Sequence, residues 1–343
     1  MASHRRPKQP SRTRVTVLTT AAAAAVALTS QAANAAPSEK PSKDEVKSKV
    51  DKLYEEAEKA TEKYNGAKEK QEKLQKEIST IQDNVARGQE DLNELREGIG
   101  QAASAQYRSG GIDSSIQLFL SADPDDYLDK AATLDQLTSQ QVESLKKIQE
   151  KQRSLAQQRE EASEKLEDLA DTRETLGKKK KEVQSKLAQA QKLLNSLTAA
   201  EKAALAAEED RATRDSAREA LGSDSPAPGR ASSAYSAAQS QIGKPYVYGA
   251  TGTASYDCSG LTSWAYAQAG ITIPRTSQAQ ANTGTRIYSQ ADLQVGDLVF
   301  FYSDIHHVGF YAGNGQVLHA PRSGAVVRYE AMSNMPFQFG VRV

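Results

Sequence analysis

Cys258 is the only cysteine in this chain of 343 residues, and it stands in the tetrapeptide Asp257-Cys258-Ser259-Gly260. The stretch from Ser259 to Ala269 is predicted to form a short helix that stops at Gly270. A thiol at a helix N-terminus feels the positive end of the helix dipole, which favours the thiolate over the thiol. Because a catalytic cysteine needs this feature and a structural one does not, Cys258 is predicted to be a nucleophile.

Two histidines could serve such a nucleophile, which needs a base and a group that orients the base. In the predicted strand His307–Tyr311, Val308 and Phe310 are expected to face the core, which leaves His307 free to meet the cysteine helix. A Gly-Asn-Gly turn leads to the next strand, which carries His319. The two imidazoles are therefore expected to be neighbours, with His307 as the base and His319 as its orienting group. The adjacent His306 is predicted to point the other way.

Two other interpretations of these residues exist. A lone histidine is usually an ordinary structural residue, and Cys258, His307 and His319 together could also bind zinc. Structural zinc takes four protein ligands and catalytic zinc usually three. The sequence offers no second cysteine and no closely spaced pair of ligands. We therefore expect no metal and no cofactor.

The residues that position this chemistry lie within 232–343, where Tyr, Val, Phe and Gly become frequent and charged residues become rare. Two helices are predicted first, at Ala234–Ile242 and at the cysteine. Strands are predicted at Asp297–Tyr302, His307–Tyr311, Val317–His319 and Ala325–Tyr329. Helices followed by strands indicate an α+β domain with a mostly antiparallel sheet.

A different pattern fills residues 36–215. Apolar residues alternate spacings of three and four from Asp44 to about Arg108, and again from about Leu134 to Leu197. This is the seam of a coiled coil. A Gly-Gly pair and an apolar cluster near 110–124 separate the two seams, so the pattern predicts a long helical hairpin with an apolar tip. Residues 216–231, rich in Pro, Gly and Ser, are predicted to be a flexible linker.

Residues 1–35 have the features of a secretion signal. They carry five basic residues and no acidic one, then an alanine-rich apolar run, then Ala33-Asn34-Ala35 as a cleavage pattern. The apolar run is short for a membrane anchor. The protein is therefore expected to be secreted, to the cell wall or another extracytoplasmic place. The formal net charge of zero, with no concentrated basic patch, excludes nucleic acid as an expected partner.

A set of five motifs in 232–343 resembles the NlpC-type cell-wall endopeptidases, which are papain-like cysteine peptidases. The motifs are Gly243–Gly249, Asp257–Leu261, Pro274–Ser277, Gly296–Phe301 and His307–Tyr311. The resemblance implies a papain-like fold and hydrolysis of peptidoglycan stem peptides, typically between D-glutamate and the diamino acid at position three. The sequence departs from the family at Gly249-Ala250, where Gly-Gly is usual.

The resemblance also implies residue roles. Cys258 is the nucleophile, His307 the general base and His319 the third polar residue. Tyr246, Asp257 and Ser259 are implied to line the substrate site. The alternative for Asp257 is that it only caps the cysteine helix. The backbone N–H of Cys258 is expected to contribute to the oxyanion hole.

The hairpin resembles those that precede catalytic domains in division-associated wall hydrolases. That resemblance implies a role in cell division and a membrane-embedded division complex as a partner at the apolar tip. We expect the hairpin to dock on the peptidase domain and cover its cleft; the alternative is a passive spacer. Two further functions stay open: a wall-associated scaffold with a degenerate peptidase domain, and a papain-like amidase or acyltransferase.

Overall fold

The structure is a computed structural model that describes residues 41–108, 116, 124–221 and 229–343. The predicted secretion signal, nearly all of the predicted tip and residues 222–228 of the predicted linker lie outside the described residues. None of the helices within the described ranges is both long enough and apolar enough to cross a membrane.

Two long helices form the predicted hairpin, α1 at Lys43–Arg108 and α2 at Pro124–Asn195. Their direction is antiparallel, because partners that come later along α1 come earlier along α2. The ion pairs that show this are Glu56–Lys186, Glu77–Lys165 and Asp91–Lys151. The hairpin is thus a pair of amphipathic helices joined along one seam, as the spacing of apolar residues predicts.

The seam is tighter in some turns than in others. Leu74, Ile78 and Leu169 form a buried cluster, whereas Leu145 and Leu166 are half exposed. At Gly88 the helices approach so closely that an added Cβ would lie 2.9 Å from a methyl carbon of Leu155. Packing along the hairpin is therefore uneven.

A third helix, α3 at Ala199–Leu221, follows a short break after α2. Thr198 and Glu201 form a reciprocal cap, in which the backbone N–H of each residue donates to the side chain of the other, at 2.8 Å and 3.3 Å. The sequence predicted neither this break nor a helix that extends six residues beyond position 215. Helix α3 packs against the catalytic domain at the strand Arg328–Ala331.

The C-terminal domain begins with helices and continues as a sheet, so the predicted α+β class is confirmed. The helices are α4 at Arg230–Gln239, α5 at Cys258–Gln268 and α6 at Ser277–Gln280. A two-stranded ribbon, β1 at Thr251–Gly252 and β2 at Ser255–Tyr256, precedes α5. The main sheet contains β3 at Thr285–Ile287, β4 at Leu298–Phe301, β5 at His307–Gly313, β6 at Gln316–His319, β7 at Arg328–Ala331 and β8 at Phe337–Arg342.

All neighbouring strands of the main sheet are antiparallel, in the order β3-β8-β4-β5-β6-β7. The cysteine helix α5 packs on β5 and on α4. The core between helices and sheet is aromatic and aliphatic. Its fully buried members include Leu261, Tyr266, Leu298, Phe300, Phe310 and Leu318. This core fixes the cysteine helix against the strands that carry the two histidines.

Two predicted boundaries are wrong. The first helix of the domain spans Arg230–Gln239 rather than Ala234–Ile242, because the chain turns after Ser240 towards Gly243, whose φ is 88°. The strand predicted at Ala325–Tyr329 begins only at Arg328. The preceding residues pair instead with 243–246, where the Gly243 N–H donates to the Val327 carbonyl at 2.9 Å.

Candidate active site

Cys258 is the first residue of α5, and Asp257 is its N-cap. The Asp257 carboxylate accepts a 2.7 Å hydrogen bond from the Gly260 N–H. An added Cβ at Gly260 would lie 2.1 Å from the Ala250 carbonyl oxygen, so only glycine fits there. The start of the cysteine helix is therefore held both by its cap and by close packing on the preceding loop.

The two histidines lie side by side on paired strands. His307 begins β5, His319 ends β6, and Nε2 of His307 is 2.7 Å from Nδ1 of His319. Gly309 makes this approach possible, because a Cβ there would lie 2.5 Å from a Val317 methyl carbon and 2.9 Å from the His319 Cβ. The structure thus brings together the pair that strand alternation predicted to be neighbours.

Glu330 on β7 lies next to His319, the second histidine of this pair, and no sequence pattern predicted it. Its carboxylate lies 3.4 Å from Nε2 of His319 and accepts a 2.9 Å hydrogen bond from Arg328. Burial opposes ionisation of Glu330, but the His319 and Arg328 contacts outweigh it and lower the pKa of the carboxyl group. A carboxylate at Nε2 of His319 favours a proton on that nitrogen and leaves Nδ1 as an acceptor for His307.

Helix α1 of the hairpin lies across this site. Cys258 is fully buried, and its Sγ is 3.8 Å from both Glu62 Oε1 and the His306 carbonyl oxygen. Burial first, and then the carboxylates of Glu62 and Glu58, raise the pKa of the thiol well above its usual value. The expected thiolate is therefore disfavoured in this arrangement, because burial and then the nearby carboxylates oppose ionisation of the sulfur.

Glu58 of α1 faces His307, the predicted base. Its Oε1 is hydrogen-bonded to Nδ1 of His307, the nitrogen opposite the one bonded to His319. Burial would lower the pKa of His307, but the Glu58 carboxylate overcomes this effect and the pKa is raised. Ligand atoms of Glu58, Cys258 and His307 lie within 4.8 Å of one another, as a metal site requires. Within this cluster, Glu58 and His307 form an ion pair with each other.

Glu62, one helical turn further along α1, is held by the peptidase domain. Its Oε2 accepts a 2.7 Å hydrogen bond from the Ser277 N–H, and its Oε1 accepts one of 2.7 Å from the Ser259 hydroxyl. Burial, and next the charge of Asp257, raise the pKa of Glu62 to about 7. Asn65, a further turn along, donates to Asp257 at 3.0 Å. One face of α1 thus fills the cleft.

The residues predicted to bind substrate all border this cleft. Tyr246 is buried, and burial followed by the charges of Glu58 and Cys258 raises its pKa well above the usual value. Asp257 caps the helix but also accepts hydrogen bonds from Gly249 N–H at 2.9 Å and from Arg275 at 2.5 Å. Its role is thus wider than the simple cap. Arg275 also donates to Ser259, at 2.7 Å.

His306 is buried but turned away from the thiol. Its Nδ1 is hydrogen-bonded to Asp304, and its ring stacks on Tyr302 with 4.2 Å between centroids. Only its backbone carbonyl approaches Cys258. The predicted orientation of His306 relative to His307 agrees with these contacts.

Helix α3 forms a second contact between the helical part and the peptidase domain. Glu209 is paired with Arg322 and lies 3.7 Å from Arg328, while Glu219 accepts a 2.5 Å hydrogen bond from Gln316. We call these contacts of Glu209 and Glu219 the clasp. Between the clasp and α1 lies a cavity of about 480 Å³. It is lined by Asp51, Glu58, Glu209, His307, Arg322 and Glu330, among others.

A cysteine at the start of a helix, packed on an antiparallel sheet that presents two bonded histidines, is the arrangement typical of papain-like cysteine peptidases. The comparisons with known proteins specify the class further. Residues 243–341 match the model of the NlpC/P60 family. This C-terminal domain belongs to that family, and the resemblance noted in the sequence is confirmed.

The relatives with curated descriptions share the catalytic domain. A probable endopeptidase of Corynebacterium glutamicum is 54% identical over 106 residues, which cover 31% of this chain and 50% of that protein. A probable endopeptidase of Mycobacterium tuberculosis is 44% identical over 98 residues, which cover 29% of this chain and 25% of that protein. The chain therefore spans half or less of the length of these relatives.

A solved structure of the NlpC/p60 domain of the peptidoglycan hydrolase SagA is also similar. It is 32% identical, and the match covers 33% of this chain and 98% of that chain with a TM-score of 0.32.

Proposed function

We propose that this protein is a secreted endopeptidase that hydrolyses amide bonds in peptidoglycan stem peptides, with the bond between D-glutamate and the diamino acid as the expected site. The observation that supports it most is the 2.7 Å bond between His307 and His319 beside Cys258, inside a domain of the NlpC/P60 family. The relatives described as probable endopeptidases support the same reaction.

The proposed mechanism assigns one task to each group. His307 takes the Cys258 proton at Nδ1, and the thiolate attacks the amide carbonyl. His319 holds the His307 ring by accepting from Nε2. The Cys258 N–H stabilises the oxyanion. His307 then protonates the leaving amine, which departs and leaves an acyl-thioester. Water activated by His307 hydrolyses the thioester and restores the thiol. Tyr246, Asp257 and Ser259 border the cleft and are proposed to bind the peptide.

The hairpin is proposed to hold this enzyme inactive. Glu58 occupies the Nδ1 that must receive the thiol proton, and Glu62 lies against Sγ at 3.8 Å. Two turns of α1, from Glu58 to Asn65, fill the space that an extended peptide is proposed to occupy. Activity then equals the fraction of molecules whose hairpin has left the cleft, multiplied by the intrinsic rate. The burial of Cys258 supports this proposal over a passive spacer, which would leave the thiol exposed.

Release requires a signal outside the described contacts. We propose that the predicted apolar tip near 110–124 receives it, with a membrane-embedded division complex as the partner that the resemblance implies. A pull on the tip acts along α1 and α2, and α1 carries the residues in the cleft. This proposal would place the enzyme in the cell wall during division.

The test compares the full-length chain with a variant carrying Glu58→Ala and Glu62→Ala, on the same purified peptidoglycan. The matched control is Glu69→Ala, an exposed glutamate of the same helix. We expect the double variant to release peptides at least about tenfold faster than the wild type and the control. Product masses identify the bond that is cut. If none of the three chains hydrolysed peptidoglycan, the proposed activity would be contradicted. If all three hydrolysed it at equal rates, the proposed inhibition by the hairpin would be contradicted.

A further inference from the structure

Three buried side chains of different chemistry meet where the hairpin contacts the nucleophile. Glu58 comes from α1, Cys258 from the first turn of α5 and His307 from the start of β5. One atom of each, a carboxylate oxygen, Sγ and a ring nitrogen, lies within 4.8 Å of the other two. Thiolate, imidazole and carboxylate are the three side-chain ligands that zinc takes in proteins.

The spacing of these atoms suits a tetrahedral ion. Zinc lies about 2.3 Å from sulfur and about 2.1 Å from nitrogen or oxygen, which places its ligand atoms about 3.3 to 3.6 Å apart. The hydrogen-bonded Glu58 oxygen and His307 Nδ1 must therefore separate slightly to admit the ion. The contacts of Sγ with Glu62 and with the His306 carbonyl are both 3.8 Å long, so coordination of the sulfur gives up little.

The partner behind His307 presents its imidazole in the form that a metal requires. Nε2 of His307 is bonded to Nδ1 of His319 at 2.7 Å, and Nε2 of His319 faces Glu330 at 3.4 Å. A proton on Nε2 of His307 leaves a lone pair on its Nδ1, which points towards Glu58. Metal-binding histidines almost always have such a hydrogen-bond partner on the second ring nitrogen.

Charge balance also permits a divalent ion at this buried position. The ion pair of Glu58 with His307 and the neutral thiol of Cys258 together carry no net charge. Zinc bound to one carboxylate, one thiolate and one neutral imidazole carries none either. The thiol proton and the proton between Glu58 and His307 are released to solvent on binding. Zinc thus replaces two protons and leaves no uncompensated charge in the buried site.

The cavity between the clasp and α1 gives an ion access to these ligands. Glu58 and His307 line it, and its volume of about 480 Å³ leaves room for a water molecule at the fourth zinc position. Six acidic side chains line the cavity against three lysine and arginine side chains. This excess of negative charge favours entry of a cation.

We propose that Glu58, Cys258 and His307 bind one zinc ion, with water as the fourth ligand, and that the ion locks the hairpin onto the peptidase domain. Glu58 belongs to the hairpin and the other two ligands belong to the domain, so the complete site exists only while the hairpin is docked. Because Glu58 lies 249 positions before His307, no closely spaced pair of ligands marks this site in the sequence.

Zinc at this site acts on the proposed enzyme in two ways. It holds the Cys258 sulfur as a bound thiolate, which cannot attack an amide. It also stabilises the docked hairpin by mass action, because the released form offers fewer ligands. This regulatory role rests on the proposed function, whereas zinc binding itself does not depend on it.

The first experiment measures metal binding by the full-length chain after treatment with a chelator. Cobalt(II) is the spectroscopic substitute for zinc: it should give the visible bands of a tetrahedral ion and a charge-transfer band from the Cys258 thiolate. One equivalent of zinc should abolish both signals. Calorimetry then gives the zinc affinity. Magnesium and calcium, which prefer oxygen ligands, should not compete.

Loss of one ligand should weaken zinc binding at least about a hundredfold, because loss of an outer-shell partner alone costs about tenfold to a hundredfold. The variants are Glu58→Gln, Cys258→Ala and His307→Ala. Glu55→Ala is the matched control and should bind zinc like the wild type, since Glu55 lies on the same helix and lines the same cavity outside the cluster.

Glu58→His separates coordination from docking, because it supplies a different zinc ligand at the same position and should restore tight binding. A merely structural role of Glu58 would not predict this rescue. Three results would overturn the site: no zinc binding by the wild type, binding that survives Glu58→Gln or Cys258→Ala, and loss in Glu58→Gln that Glu58→His does not restore.

The second experiment relates zinc to hydrolysis of purified peptidoglycan. Zinc should inhibit the wild-type chain, reversibly with a chelator, at concentrations at least about a hundredfold lower than those that inhibit the Glu58→Ala, Glu62→Ala chain. Equal sensitivity of the two chains would overturn the lock. Tight zinc binding without hydrolysis by any chain would retain the site and contradict the proposed reaction. Hydrolysis without zinc binding would retain the reaction and contradict the site.

Discussion

The carboxylate of Glu58 is hydrogen-bonded to Nδ1 of His307, a residue 249 positions further along the chain. The imidazole therefore bonds to His319 through one nitrogen and to the hairpin through the other. The proposed base, His307, cannot accept a proton from Cys258 while its Nδ1 is engaged by Glu58. The proposed inhibition would therefore act on the chemistry of the site as well as on access to it.

Substitution of the proposed catalytic residues should separate their roles when it is made in the chain with Glu58→Ala and Glu62→Ala. Cys258→Ala and His307→Ala should lower peptide release by about a thousandfold or more, and His319→Ala should leave a weak residual activity. His306→Ala should keep most of the activity, because that imidazole contacts Asp304 and Tyr302 rather than the thiol. Circular dichroism checks folding. An inactive His306→Ala chain beside an active His307→Ala chain would contradict this assignment.

Glu330 is predicted to position His319. In the same released background, Glu330→Gln should lower the rate about tenfold, less than His319→Ala does. Because Glu330 also raises the pKa of His307, its loss should lower that pKa and move the limb of the pH–rate profile that reports the proposed base, the acidic limb, to lower pH. The measurement is that profile. A lower rate with an unmoved profile would mean that Glu330 has only a structural role.

Inhibition should weaken as the pH rises. The pKa of Glu62 is raised from 4.5 to about 7 in the docked state, chiefly by burial and by Asp257, against the effect of Arg275. The pKa of His307 is raised from 6.5 by Glu58. Groups that bind protons more tightly when docked favour docking at low pH, and this contribution is lost as the pH rises through the docked pKa.

The test is the ratio of wild-type activity to that of the Glu58→Ala, Glu62→Ala chain across this range, since the titration of the catalytic groups themselves largely cancels in the ratio. The ratio should be lowest below about pH 4.5, where Glu62 is protonated both when the hairpin is docked and when it is released. It should increase as the pH rises through about 7. A ratio that is flat, or that decreases as the pH rises, would exclude this linkage.

The clasp should contribute less to the proposed inhibition than Glu58 and Glu62 in the cleft do. Glu209→Ala removes the pairs with Arg322 and Arg328, which are partly exposed, and should raise wild-type activity about twofold to fivefold. The difference should shrink at high salt because exposed ion pairs are screened. Glu208→Ala is the control, since Glu208 pairs with Lys47 inside the helical part. An equal effect of both substitutions would argue against a specific clasp.

Secretion predicts a processed N-terminus. The protein recovered from culture medium and cell-wall fractions should begin at Ala36, after the Ala33-Asn34-Ala35 pattern. N-terminal sequencing or intact mass measures this directly. Recovery of the unprocessed chain in the membrane fraction would instead indicate that residues 1–35 act as a membrane anchor.

The sequence by itself determined the helices and strands that depend on residues close together in the chain. Alternation with a period of two placed His307 and His319 on neighbouring strands, and the turn between them fixed the pairing. The Asp257 cap and the Gly270 stop defined the cysteine helix, whose bounds are correct to within one residue. Heptad spacing predicted two long antiparallel helices because that signal repeats many times. The motifs of 232–343 were sufficient for the family.

Only the tertiary structure decided what occupies the cleft. Glu58 and Glu62 resemble every other charged residue on the flank of a coiled coil, and their spacing of four indicates merely that they share a helix face. Ser277 and Ser259 lie about 200 positions away along the chain, with separations of 215 and 197 residues from Glu62. No local pattern encodes such a contact. It depends on how a helix and a preformed site fit together in charge and shape, and that information exists only once both have folded.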